Sequence, residues 1–174
     1  MPRKSLIALL CAMCALVVVP ASASAAKTKV SVAVADQSPN MFDSPAYQAL
    51  KMRKTRYFVR WDAVDQPAAI GAAEAYAREA KRRNVKVLMH ISTDDLRERK
   101  AKLPTVRQYR TKVGALVKQM RRLGVREFGV WNEANHDTQP TYKSPKRAAQ
   151  FFLEMRKMCR TCTIVGLDRA TVAQ

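Results

Sequence analysis

Phe128-Gly129-Val130-Trp131-Asn132-Glu133-Ala134-Asn135 decides the fold. An apolar run, rich in aromatic and β-branched residues, stops abruptly on a polar cluster that continues to Asp137. Such a run reads as a buried strand. A strand apolar along its whole length must be covered on both faces, as in a parallel sheet with helices outside. In folds of that kind chemistry gathers at the carboxyl ends of the strands. Asn132 and Glu133 therefore stand where a catalytic carboxylate and its hydrogen-bonding neighbour are expected. An isolated Asn-Glu pair is more often a mere strand end with a polar loop after it; the flanking elements give this one its weight.

Working outward, the pattern alternates. Lys29 to Ala35 reads as a first strand, and Ser44-Pro45 opens a short helix to about Met52, with Pro at the first helical position. Thr55 to Trp61 is a second strand. Pro67 to Arg83 is an Ala-rich helix that Asn84 can cap. Val85 to Ile91 is a third strand, and Leu96 to Leu103 a polar loop or short helix. Thr105 to Leu123 places Val113, Leu116, Val117, Met120 and Leu123 at helical spacing, and Gly124 ends it. Ser144-Pro145 starts a helix to about Met158, and Thr163 to Leu167 is a fifth strand ending at Asp168.

Strict strand–helix alternation implies an α/β fold with parallel strands. A doubly wound sheet and a (β/α)₈ barrel both fit. A nucleotide-binding sheet usually carries a Gly-rich turn after its first strand. None is present, and the chain has only five glycines. The barrel is therefore expected. It needs about 200 residues or more, so the expectation is a partial TIM barrel, about four βα units plus a fifth strand.

The strand ends line up as Arg60 on the second strand, His90 on the third and Asn132-Glu133 on the fourth. That series resembles the clan A glycoside hydrolases, retaining (β/α)₈ enzymes. The wording Val130-Trp131-Asn132-Glu133-Ala134-Asn135 is most similar to the β-xylosidase and α-iduronidase branch, in which Trp-Asn-Glu-Pro-Asn is the motif and Ala134 here replaces Pro. The resemblance covers roughly residues 29 to 168. It implies Glu133 as the catalytic acid/base and Asn132 as a ligand of the sugar 2-hydroxyl. It implies Arg60 beneath the nucleophile and His90 on a sugar hydroxyl or a carboxylate. A core histidine bonded to backbone is the competing reading of His90. Trp61 and Trp131 fit either sugar stacking or packing, and Asp36, Asp62 and Asp168 lie near strand ends. In the clan the nucleophile is a Glu closing strand seven. The expectation is that the chain is truncated before that strand and is inactive alone. No cofactor and no metal are expected, since Glu133 and His136 are spaced as a helical metal pair but lie in a loop.

The first residues bear on localisation. Arg3 and Lys4 precede an apolar run from Leu6 to Val19, then Pro20 and the small residues Ala21 to Ala26. This is the pattern of a secretory signal peptide, residues 1–26, with the barrel-like domain over 27–174. Leu10 and Met13 precede Cys11 and Cys14, where a lipoprotein site wants a small residue. A free extracellular protein is expected. Export leaves Cys159 and Cys162, which should pair in an oxidising compartment.

The net charge is +18, and removing Arg3 and Lys4 takes it to +16. Such a balance favours polyanions. A carbohydrate substrate and anionic cell-wall polymers are the expected partners. Nucleic acid is not expected, because no nucleic-acid motif is present. A solvated outer face accounts for much of the basic content more simply. Open first and fifth strands would also invite self-association. The alternative to a glycosidase is a non-catalytic, secreted, basic protein that binds carbohydrate or cell-wall polymer.

Overall fold

A computed structural model describes residues 31–93 and 101–166. The chain divides after Ser31, and every element below belongs to the unit Val32–Gln174. The signal-peptide reading, Cys11, Cys14, the start of the first strand and Asp168 lie outside the described residues.

Five strands form one all-parallel sheet: β1 (Val34–Ala35), β2 (Lys54–Arg60), β3 (Lys86–Ser92), β4 (Glu127–Gly129) and β5 (Thr163–Val165). Their spatial order is β1-β2-β3-β4-β5, with no reversal. The helices are α1 (Pro45–Ala49), α2 (Pro67–Arg82), α3 (Val106–Arg122) and α4 (Pro145–Met158). Short 3₁₀ turns occupy Pro39–Asp43 and Ala63–Asp65. The mixed α/β class and the alternation are as expected. β1 is shorter, and β4 ends two residues before Trp131, although single ladder bonds continue it: Val130 N–H donates to Val165 at 3.3 Å and Asn132 N–H to Ile91 at 2.9 Å.

The period of two along β2 divides the sheet into two faces. Thr55, Tyr57 and Val59 are buried on the helix side, as are Val87, Met89 and Ile91 of β3. Lys54, Arg56, Phe58 and Arg60 are half-buried on the other side. On the helix side α2 contributes Ala73, Ala77 and Ala80, whose small side chains let the helix approach closely, and one large residue, Tyr76. The Tyr76 ring packs 4.5 Å from Tyr57 and 5.2 Å from Phe42, and its hydroxyl meets that of Thr55 at 2.5 Å. Burial pushes the Tyr76 pKa up to about 12. The apolar stripe of α3, Tyr109, Val113, Leu116, Val117 and Met120, is fully buried.

The helix ends show why the chain turns where it does. Thr105 and Gln108 form a capping box on α3, each side chain taking the other's backbone N–H at 3.1 and 2.8 Å. α2 and α3 both close in Schellman motifs. Val85 N–H reaches Ala80 at 2.8 Å, and Val125 N–H reaches Met120 at 3.1 Å. Each motif needs a left-handed residue, supplied by Asn84 at φ 56° and Gly124 at φ 97°. α4 ends at Cys159, which is bonded to Cys162 with Cα atoms 5.4 Å apart. The pair follows a helix and precedes β5, unlike a redox motif that opens a helix.

Ion pairs tie the outer layer. Arg110 of α3 grips the buried Glu154 of α4 with two bonds of 2.7 and 3.2 Å, holding that carboxyl below its ordinary pKa. Glu79 bonds Arg82 at 2.6 Å and Arg83 at 2.9 Å, which lowers its pKa to about 2. A depressed folded-state pKa gives stability above the unfolded value, and that stability is lost as pH falls toward 2. Solvent screening reduces the nominal figure to about 1 kcal/mol. Glu79→Gln should therefore cost about 1 kcal/mol at pH 7 and almost nothing near pH 2. Urea titrations of both proteins at the two pH values check this; an equal cost at both would remove Glu79 from the acid transition.

Candidate functional site

The candidate site lies on the face away from the helices, toward the carboxyl ends of β2, β3 and β4. Register brings Phe58, His90 and Gly129 side by side across the three strands. The Phe58 and His90 rings stack with centroids 5.9 Å apart, and His90 is 1% exposed. The His90 ring also lies over Gly129. A Cβ built at Gly129 would come closer than 3.0 Å to three atoms of the imidazole, a separation real Cβ atoms essentially never show. Gly129 is therefore the space into which His90 leans, which accounts for a glycine in an otherwise bulky strand.

Arg56 joins this row to the Asn-Glu pair. Its guanidinium sits 4.5 Å above the centre of the Phe58 ring, a cation–π contact. From there it donates to Asn132 Oδ1 at 2.7 Å. Arginine only donates, so the carbonyl end of the Asn132 amide must face it. The NH₂ end is thereby directed away from Arg56. Arg60, the basic residue singled out from the sequence, makes a two-pronged pair with Asp62 through bonds of 2.5 and 3.1 Å. Both arginines lie on one face of β2, four residues apart, and the sequence pattern treats them alike. The missed residue is Arg56; the signal for it was the Arg-x-Phe alternation that keeps Arg56 and Phe58 on one face.

Glu133 follows Asn132 at φ 44°, in the left-handed region that non-glycine residues rarely enter. Strain of this kind costs on the order of 1 kcal/mol and persists only where the surroundings impose it. Those surroundings are a stack of tight turns. His136 N–H bonds Glu133 at 2.8 Å, Gln139 bonds His136 at 3.0 Å, Tyr142 bonds Gln139 at 3.0 Å and Ser144 bonds Thr141 at 2.8 Å. Two buried side chains pin the stack. Thr141 Oγ1 donates to the Ala134 carbonyl at 2.9 Å, and Gln139 Oε1 accepts from Trp131 Nε1 at 3.0 Å. A buried indole N–H needs an acceptor, and that need was the sequence signal for Gln139. Glu133 remains half-buried, with no hydrogen bond to its carboxylate among the described residues.

Trp131 is fully buried, stacked 5.5 Å from Phe151 of α4, so it packs the core instead of facing a ligand. Trp61 is partly buried beneath the Lys112 ammonium at 4.9 Å. His136 Nδ1 meets Thr138 Oγ1 at 2.7 Å and Asp137 at 3.2 Å. Among the described residues no three His, Cys, Asp or Glu side chains cluster as metal ligands would. The structure thus brings together Arg56, Phe58, His90, Gly129 and Asn132, with Glu133 next in the chain, while Arg60 bonds Asp62. No known family model matches the chain, and no curated protein matches it either.

Proposed function

We propose that the chain carries the acid/base half of a retaining glycoside hydrolase on a partial (β/α)₈ barrel. The observation that carries this reading is the 2.7 Å bond from Arg56 to Asn132, beside Glu133 at the carboxyl end of a parallel strand. The unreversed order of five parallel strands supports the barrel, because a doubly wound sheet reverses at a switch point. In this reading Glu133 protonates the leaving glycosidic oxygen and later takes a proton from water. Asn132, its carbonyl held by Arg56, offers its NH₂ to the sugar 2-hydroxyl, an interaction that tightens in the transition state. His90, buried one strand away between Phe58 and Gly129, supports the sugar site from beneath. A retaining mechanism also needs a second carboxylate about 5–5.5 Å from Glu133, which in the clan this reading invokes closes strand seven. The protein is secreted, and its substrate is a carbohydrate.

The test is to extend the chain through the reading frame beyond Gln174 until a strand ending in Glu is included. The product is assayed on a panel of aryl glycosides. Hydrolysis with retention of configuration is expected. Glu133→Gln should lower kcat about a thousandfold, and Arg56→Met should weaken it through Asn132. Residues 27–174 alone should not turn over. Activity indifferent to Glu133→Gln would sink the assignment, and turnover by residues 27–174 would place the second carboxylate within them.

A further inference from the structure

All five strands run the same way, so every turn leading from a helix into a strand lies at one end of the sheet, opposite the candidate site. That end is strongly basic. Arg53, Lys81, Lys86, Arg126 and Arg160 are exposed there, and none has an ion-pair partner among the described residues. The two Schellman turns bring three of them around one cleft of about 450 Å³. The exposed Lys81, Lys86 and Arg126 form its rim, Arg126 also donating to the Arg121 carbonyl at 2.8 Å, and the more buried Val85, Leu123 and Val125 its floor. Among the described residues the one carboxylate lining it, Glu127, is held by Lys54 at 3.2 Å.

The ordinary explanation for cations at helix C-termini is the helix dipole, worth about −0.5 charge per helix. Two helices end at this cleft, and together they offset only about one of its three cations. We infer that this cleft and the basic end around it bind an anionic polysaccharide, one carboxylate- or phosphate-bearing sugar seated between Lys81, Lys86 and Arg126. The apolar floor suits the C–H face of a pyranose ring, and the rim suits its anionic substituent. Single-stranded nucleic acid is held by aromatic platforms on which bases stack. Among the described residues the one exposed aromatic of the large exposed apolar set is Tyr142, which lies in the loop at the opposite end. Expected export of the chain would put it among polysaccharides of this kind. Such a surface holds the protein on a polymer while leaving the Asn132–Glu133 end free.

The experiment measures binding of the secreted chain to immobilised polygalacturonate at several salt concentrations, with dextran as the neutral control and an oligothymidylate as competitor. The variant Lys81→Gln/Lys86→Gln/Arg126→Gln should raise Kd about tenfold or more at low salt. It should also reduce the slope of log Kd against log salt by about two to three. The control Lys118→Gln/Lys143→Gln/Lys146→Gln removes the same charge elsewhere and should change Kd less than about twofold. Should Arg126→Gln fail to fold, Lys81→Gln/Lys86→Gln, confined to exposed side chains, should still raise Kd about threefold. Glu133→Gln should bind as the parent does, whatever its effect on hydrolysis. Equal losses in the two triple variants would overturn the inference in favour of net charge alone. Tighter binding of the oligothymidylate than of polygalacturonate would overturn the choice of polymer.

Discussion

Phe151→Ala should cost about 4 kcal/mol of folding stability. Phe151 is fully buried on α4 and stacks on Tyr109 at 4.1 Å with an interplanar angle of 9°. Its other side meets Trp131 at 5.5 Å. Truncation removes the ring joining α3, α4 and the end of β4, and its two large neighbours, Tyr109 and Trp131, cannot collapse into the gap. A domain of this size has roughly 5–15 kcal/mol in total, so the variant should melt roughly 10–15 °C lower. The damage should also reach the candidate site. Tyr109 donates to the Val130 carbonyl at 2.8 Å, and Trp131 holds Gln139 in the turn stack after Glu133. Phe151→Leu keeps most of the volume and should cost about 1.5 kcal/mol. Guanidinium denaturation followed by far-ultraviolet circular dichroism checks both. A loss below about 1 kcal/mol for Phe151→Ala would mean that α4 does not pack on β4 in this way.

Gly129→Ala should cost about 3 kcal/mol, a large penalty for one methyl group. The added carbon would lie within the contact radius of three ring atoms of His90, so the imidazole has to move. It has little room, being buried against Phe58 on its other side. The cause can be isolated by a double-mutant cycle. His90→Ala alone should cost about 2 kcal/mol through the lost packing. In the His90→Ala background, Gly129→Ala should cost about 1 kcal/mol or less, a coupling of about 2 kcal/mol. Additive losses would show that the two positions do not meet and that the row Phe58, His90, Gly129 is wrongly registered.

Period and punctuation in the sequence determined the local elements. The spacing of Val113, Leu116, Val117 and Met120 could only serve a helix buried on one side. Asn84 and Gly124 stop α2 and α3 because they enter the left-handed region at little cost. The Cys159–Cys162 pairing was equally local, requiring only two cysteines three residues apart in a turn. The parallel class followed from alternation, since each strand is separated from the next by a helix. Strand order, register and reach were decided by the tertiary structure. A period of two places Arg56 and Arg60 on the same face but does not say which one meets Asn132, 76 residues further on. That choice depends on the stagger of β2 against β3 and β4, set by packing under the helices. The same stagger sets His90 over Gly129, so a glycine that reads as a weakness in a strand is the room for a buried ring. The basic clusters at the ends of α2 and α3 were visible as charge runs along the chain. They become one surface because parallel strands gather every helix-to-strand turn at the same end of the sheet.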